Sequence, residues 1–355
     1  MRVIFLTQTS ELGPSSRHRV YQYLDFLKRE GVNFRVSPAI SSNHFTRVYN
    51  THRPINKLPY FGLVVLKRLI DLTMIGAGDI VFLQKEVLPH AYPLIEGLIK
   101  KLNRKLVFDF DDAIFLLPPG RRSPLYDFRY RDSIPRILAM SDYVIAGNEY
   151  LKQYALRFNG NVEVIPTSID TEIYCVKRKN SRDKINIGWI GSQSTVFYLD
   201  QLRNVFTALA KRYNICLTVI GTGDYRVDGV ETVALPWRRE REISDLQCFD
   251  IGVAPLVNDD WALGKCGCKV IQYMGVGIPA VASPVGINGE IIDDGVNGFL
   301  ADSDAEWIDK LSQLIENEVL RERFGFMGRK TIEERYSVKI NAPKLLEILH
   351  RVNKM

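Results

Sequence analysis

Short apolar runs, each parted from the next by a polar or helix-periodic stretch, set what this chain can become. VIFLT opens the series, and FRVSPA, DIVFLQ, KLVFDF, DYVIAG and VEVIPT follow it. Runs of that length bounded by turn residues are buried strands, and strands alternating with helices form parallel βαβ units. A charged interval without apolar period, DTEIYCVKRKNSRDK, breaks the series at 170–184 and reads as a linker. The series then restarts with INIGWIGS, CLTVIG, VETVALP, FDIGVAPL, AVASPVG and GFLA. The sequence thus predicts an α/β chain of two Rossmann-like domains, 1–169 and 185–335, facing each other across a cleft, with a helix over 336–355. After the first strand and the polar loop SELGPSSRHR, a helix VYQYLDFLKREG spaces Tyr21, Leu24 and Leu27 on one face and stops at Gly31. Ligands of such sheets gather beyond the carboxyl ends of the strands, which puts the loops at Thr9–Arg19, Asp109–Ala113, Asn148 and Thr167 on one rim.

Length agrees, since 355 residues exceed one ordinary core. Hydrophobic content of 46% and charged content of 25% are those of a soluble globular protein. A net charge of +6 favours anionic partners such as nucleotide diphosphates and acidic lipid headgroups. The basic residues are scattered and no RNA- or DNA-binding motif appears, so nucleic acid is not an expected partner. An odd count of five cysteines points to a reduced, cytoplasmic setting. Cys266 and Cys268 form a C-x-C pair with no second Cys/His pair to complete a zinc site, so neither metal nor cofactor is expected. The opening residues MRVIFLTQTS read as a strand rather than a leader. The apolar stretch 60–76 is interrupted by Lys67, Arg68 and Asp71 and does not suit a bilayer span. LIKKLNRKL, 98–106, sets four Lys/Arg beside leucines; this is either a basic face for an anionic membrane or a solvated surface helix, and the sequence leaves both open.

The densest chemistry lies in GKCGCKVIQYMGVGIPAVASPVG, 264–286. A loop of small residues feeding a helix presents free N–H groups at the positive end of the helix dipole, here at Gly267 and Cys268. Lys265 and Lys269 add two full charges, and the arrangement suits a diphosphate. Gly191, Ser192, Gln193, Ser194 and Thr195, after IGWIG, form a second candidate phosphate loop rich in N–H and O–H donors. Arg17 and Arg19 follow the polar loop of the first strand; cations are unfavourable in a helix's first turn, so their presence there points to a bound anion, a phosphate or an anionic acceptor. Asn148 lies on the same rim. The three aspartates of FDFDD either cap a helix and meet solvent or face the cleft. Trp237 and Trp261 read as core or rim aromatics, with stacking on a base or sugar as the other option.

The order WIGSQST, LPW, FDIGVAPL, GKCGCK, YMGVGIPAVASPVG and NGFLA resembles the nucleotide-sugar-dependent glycosyltransferases of family four. GPSSRHRVYQYL, FDFDDAIF, VIAGNEYLK and VIPTSIDTEIY resemble that family's acceptor-side and hinge segments. The resemblance implies the GT-B fold, with the C-terminal helix crossing back to the N-terminal domain. It implies transfer of a sugar from a nucleotide-diphosphate donor to a hydroxyl, with retention and without metal. It makes Lys265 and Lys269 the diphosphate clamp and puts Asp111 where relatives carry a histidine facing the donor sugar. It sets Glu290 beside the nucleotide pocket. The family's two glutamates, eight positions apart, fall on Gly264 and Gln272 here, so both carboxylates are missing. Gln272 can still hydrogen-bond a ribose diol. The acceptor implied is a glycan or a lipid-linked molecule of surface polysaccharide or glycolipid synthesis, met at the inner face of a membrane. Two other readings stand beside this one: a non-catalytic nucleotide- or glycan-binding homologue that regulates a transferase, and a nucleotide-sugar epimerase.

Overall fold

The structure, a computed structural model, describes residues 1–49, 58–88, 92–102, 104–117, 132–176 and 184–355. Of the expected linker, 177–183 lie outside the described residues. The chain forms two compact units, Met1–Thr167 with Asn341–Met355, and Ser168–Ile340.

In the first unit each apolar run becomes a strand: β1 (Arg2–Thr9), β2 (Asn33–Ile40), β3 (Ile80–Gln84), β4 (Lys105–Phe110), β5 (Tyr143–Ala146) and β6 (Val162–Val164). They form one parallel sheet in the order β2-β1-β3-β4-β5-β6, which reverses direction between β1 and β3. Phe5, Phe82 and Phe108 on successive central strands are buried, as expected of a sheet covered on both faces.

The second unit repeats the plan with β7 (Ile185–Ile190), β8 (Ile215–Ile220), β9 (Thr232–Leu235), β10 (Ile251–Ala254), β11 (Ala280–Ala282) and β12 (Phe299–Leu300). Its parallel order is β12-β11-β10-β7-β8-β9, with the reversal between β7 and β10. The α/β class and both sheets are those the sequence predicts.

Local detail departs from the sequence reading in three places: the first helix, the stretch 98–106 and Tyr174. Pro14 starts a helix early, Pro14–Arg19, followed by a 3-10 turn Tyr21–Tyr23 and a separate helix Leu24–Arg29. Arg17 and Arg19 therefore sit in a last turn, where cations are favoured, and the argument for a bound anion from a first turn falls. The stretch 98–106 is not one helix: Leu94–Lys101 ends it, and Lys105 already belongs to β4. Tyr174 is no exposed linker residue; it is 3% exposed in the second unit's core, beside Met274 and Val276. The last helix, Val338–Lys354, counts with the first unit from Asn341 onward, where Lys105 donates to the Asn353 carbonyl and Arg351 pairs with Glu163.

One buried carboxyl ties stability to pH. Glu96 accepts the Val87 N–H at 2.9 Å, yet burial pushes its carboxyl up to about 7. Because the folded pKa lies above the ordinary 4.5, folding takes up a proton in this window. The contribution is whole below about pH 4.5 and is lost as pH rises through 7. Urea titrations of wild type and Glu96→Gln at several pH values should show wild type losing on the order of 3 kcal/mol relative to the variant between these limits. Parallel curves would contradict this.

Candidate functional site

The reversal of strand order in the second unit leaves a gap that one side chain closes. β10 pairs with β7 only through Ile251 to Ile187 and Gly252 to Gly188, so the last residues of both strands share no ladder. Into that place Tyr273 sends its hydroxyl, which accepts the Ile190 N–H at 3.0 Å and donates to the Val253 carbonyl at 3.2 Å. Burial pushes the phenol's pKa upward, so the proton it donates is retained. Gly252 leaves room for the ring: a Cβ there would stand 2.4 Å from it.

Tyr273 belongs to the helix Cys268–Gly275, whose inner residues Val270, Ile271 and Met274 are buried. The chain enters that helix through Gly267 at φ +66, and a Cβ there would meet Ile291 Cδ1 at 2.4 Å. Glycine is required on both counts. The helix start is thereby fixed at the carboxyl edge of the sheet, with its first N–H groups directed out of the helix end. Lys265 Nζ lies 5.0 Å from the Trp261 ring centroid and Lys269 Nζ lies 5.4 Å from that of Trp189. Both lysines are half-buried, and Gly264, between the helices Asp260–Leu263 and Cys268–Gly275, is buried. All five cysteines are free. Among the described residues no group of three or more His, Cys, Asp or Glu is placed to hold a metal ion.

Gln272 is placed differently from the sequence expectation. It is 5% exposed, and its amide nitrogen donates to Glu242 Oε1 at 3.2 Å and to the Tyr174 hydroxyl at 3.3 Å. Glu242 is wholly buried and also accepts from Trp237 Nε1 at 2.6 Å and from the Tyr174 hydroxyl. The Gln272 donor is thus engaged inside the unit, and its carbonyl oxygen faces the helix start, 3.7 Å from Cys268 Sγ. Trp237 is held in this cluster by its ring N–H. Sequence reasoning missed Glu242, because nothing in WRREREIS distinguishes it from the solvent-facing charges around it.

Beside this helix lies the loop after β7. Gly191 has no room for a side chain, since a Cβ would stand 2.1 Å from the Trp189 ring, and a Cβ on Gly221, at φ +100, would stand 1.8 Å from the Gly191 carbonyl oxygen. Ser192 and Ser194 bring their hydroxyls to 2.8 Å, and the Ser192 N–H donates to Thr195 Oγ1 at 3.1 Å. Thr222, next after Gly221, is 2% exposed, and its hydroxyl has no hydrogen-bond partner among the described residues. It too was missed, for lack of any motif. Glu290, on the short helix Asn288–Ile291, has an exposed side chain, and its carbonyl oxygen accepts from Arg335.

In the first unit most of the expected residues serve the fold. Arg19 is 2% exposed and grips Asp109 through Nε at 3.1 Å to both carboxylate oxygens, while Nη1 donates to the Ile165 carbonyl at 2.6 Å. Burial opposes its charge, but Asp109 outweighs burial and shifts the pKa upward. Arg19 is an internal ion-pair partner and not an exposed anion contact. Asn148 caps the helix Glu149–Ala155 by accepting the Leu151 N–H at 2.8 Å. Arg17 is 5% exposed, with Nη1 3.5 Å from the Glu11 carbonyl oxygen and Nη2 3.5 Å from His18 Nε2. Asp111 is 9% exposed and pairs with Lys85 Nζ at 2.9 Å; the same ammonium reaches Asp112 at 2.5 Å and Ser15 at 3.2 Å. Lys85, directly after β3, has φ +61, a backbone strain that a bulky residue keeps only when its surroundings impose it.

Residues 184–317 match the family model described as Glycosyl transferases group 1. No curated protein matches the chain in sequence. Among solved structures, Anabaena HepE in complex with UDP and glucose superposes with a TM-score of 0.68 at 15% identity, covering 99% of this chain and 100% of that one. Sucrose-phosphate synthase from Thermosynechococcus elongatus gives a TM-score of 0.70 at 12% identity, over 99% of each chain. Staphylococcus aureus TarM gives 0.63 at 17% identity over 82% of this chain and 58% of that one. At such identities the likeness is one of fold, and the fold is GT-B.

The Tyr273 bridge yields a direct test. Tyr273→Phe keeps the ring but leaves the Ile190 N–H and Val253 carbonyl without their shared partner. Denaturant unfolding should show a loss of about 1–3 kcal/mol. A variant as stable as wild type would show that the hydroxyl bridge carries nothing.

Proposed function

We propose, for a chain that carries a Glycosyl transferases group 1 domain on a GT-B fold, that it moves a sugar from a nucleoside-diphosphate sugar to a hydroxyl acceptor with retention of configuration and without a metal ion. One observation carries the reading: a helix start, fixed through Gly267 and Tyr273 at the reversal point of a parallel sheet, stands between Lys265 and Lys269. Cleavage of the sugar–phosphate bond leaves negative charge on the departing diphosphate. Fixed N–H groups and the two ammonium groups would neutralise that charge without reorganising. Gly191, Ser192, Gly267 and Cys268 supply further donors, the Gln272 carbonyl oxygen accepts a ribose hydroxyl, and Glu290 borders the nucleotide. Asp111 is assigned to a sugar hydroxyl or to the positive charge developing at the anomeric carbon. The acceptor is a glycan or lipid-linked molecule of surface polysaccharide or glycolipid synthesis, met at the inner face of a membrane. HepE is a relative of this fold crystallised with UDP-glucose, which supports a donor of that class.

Gly264 and Gln272, where the family resemblance leads one to expect glutamates, favour one second reading: a homologue that binds donor but does not turn it over. Release of nucleoside diphosphate from a panel of uridine, guanosine, thymidine and adenosine diphosphate sugars, with acceptor mixtures present, separates the two. Turnover supports the transferase; binding without turnover favours the second reading. Lys269→Ala should weaken nucleoside diphosphate binding by on the order of 1–3 kcal/mol in a calorimetric titration. Unchanged affinity would overturn the clamp.

A further inference from the structure

The helix Leu58–Met74 carries its ions inward and its leucines outward. Arg68 is 1% exposed and Asp71 4%; they pair at 3.0 Å, and Arg68 donates to the carbonyls of Thr7 at 2.6 Å and Ser37 at 2.8 Å. On the outward side, Leu63, Leu66, Ile70 and Met74 follow helical spacing at 55, 56, 52 and 42% exposure. Phe61 and Leu69 flank them, also exposed. An ordinary surface helix has the opposite polarity.

The neighbouring helix Leu94–Lys101, in contact with it, repeats the pattern. Leu94, Leu98 and Leu102 are exposed, while its one carboxylate, Glu96, is 2% exposed. Both carboxylates of the two helices are therefore buried, and the charged side chains on these helices and just after them that are not buried are cations: Lys67, Lys100, Lys101 and Arg104. Asp142, on the segment nearby, is neutralised by Lys100 at 2.7 Å. A cavity of about 250 Å³ opens beside the first helix, lined in part by Ile40, Tyr60, Leu63 and Lys67. Among the described residues no helix is long and apolar enough to cross a membrane, so this face can lie on a bilayer but not span it.

We propose that this face docks on an anionic phospholipid bilayer. The apolar stripe enters the boundary between headgroups and acyl chains, and the cationic rim meets the phosphates. A second copy of the chain would instead set cations against cations. The proposal rests on the membrane setting of the reading above, but vesicle binding needs no donor, so it can fail while sugar transfer stands.

The test is co-sedimentation of the full chain with vesicles of equal parts phosphatidylglycerol and phosphatidylcholine, against phosphatidylcholine alone. Binding should favour the anionic vesicles and fall with added salt. Leu66→Glu with Ile70→Glu should weaken it at least about tenfold, with the thermal midpoint unchanged because both side chains are already exposed. Leu98→Glu, on the second helix, decides the matter should the double variant misfold. Absence of binding to anionic vesicles, or equal binding by the folded variants, would overturn the proposal. So would a dimer that the double variant dissolves, since that would assign the face to a second copy.

Discussion

The second unit depends on a hydroxyl that does the work of a missing β-ladder. Where β7 and β10 part, Tyr273 joins Ile190 to Val253 from a helix that neither strand belongs to. Because that helix starts five residues earlier, at Cys268 after the Gly267 cap, the position of its first N–H groups is tied to the strand ends by the same residue. Gly252 admits the ring and Gly267 admits the turn. The electrostatics follow from this placement: without it, Lys265 and Lys269 would be two surface lysines on a loop.

A second layer lies behind the helix. Glu242 gathers Tyr174, Trp237 and Gln272 around one buried carboxylate. Its effect is to settle which end of the Gln272 amide is spent inside and which remains toward Cys268. That end is an acceptor oxygen, as a glutamate's would be though without its charge, and the Cys268 thiol donates to it. The resemblance marked the loss of a carboxylate at 272; the structure adds that a carboxylate stands one hydrogen bond behind it.

Strand pattern was the legible part of this chain. Each apolar run is a strand, because parallel strands buried on both faces leave a continuous signal that needs no knowledge of partners. Side-chain assignments were less legible, and Arg19 shows why. A cation near a loop reads as an anion contact until its partner, Asp109, ninety residues away, is seen to meet it. Asn148 was read as a rim residue although Asn-Glu before an apolar helix is itself a capping signal. The stretch 60–76 adds a point about direction. Its interrupting charges argue rightly against a bilayer span, yet Arg68 and Asp71 are buried, and Leu69 and Ile70 between them are exposed. Composition cannot report direction.

The central claim is that the helix start at Gly267 and Cys268 holds the diphosphate. Amide hydrogen exchange with and without a nucleoside diphosphate probes that backbone most directly, residue by residue. The account predicts slowed exchange at 267–270 and in the loop from Gly191 to Thr195, with the core strands unchanged. Saturating ligand that leaves exchange at 267–270 as it was, with protection appearing elsewhere, would contradict it.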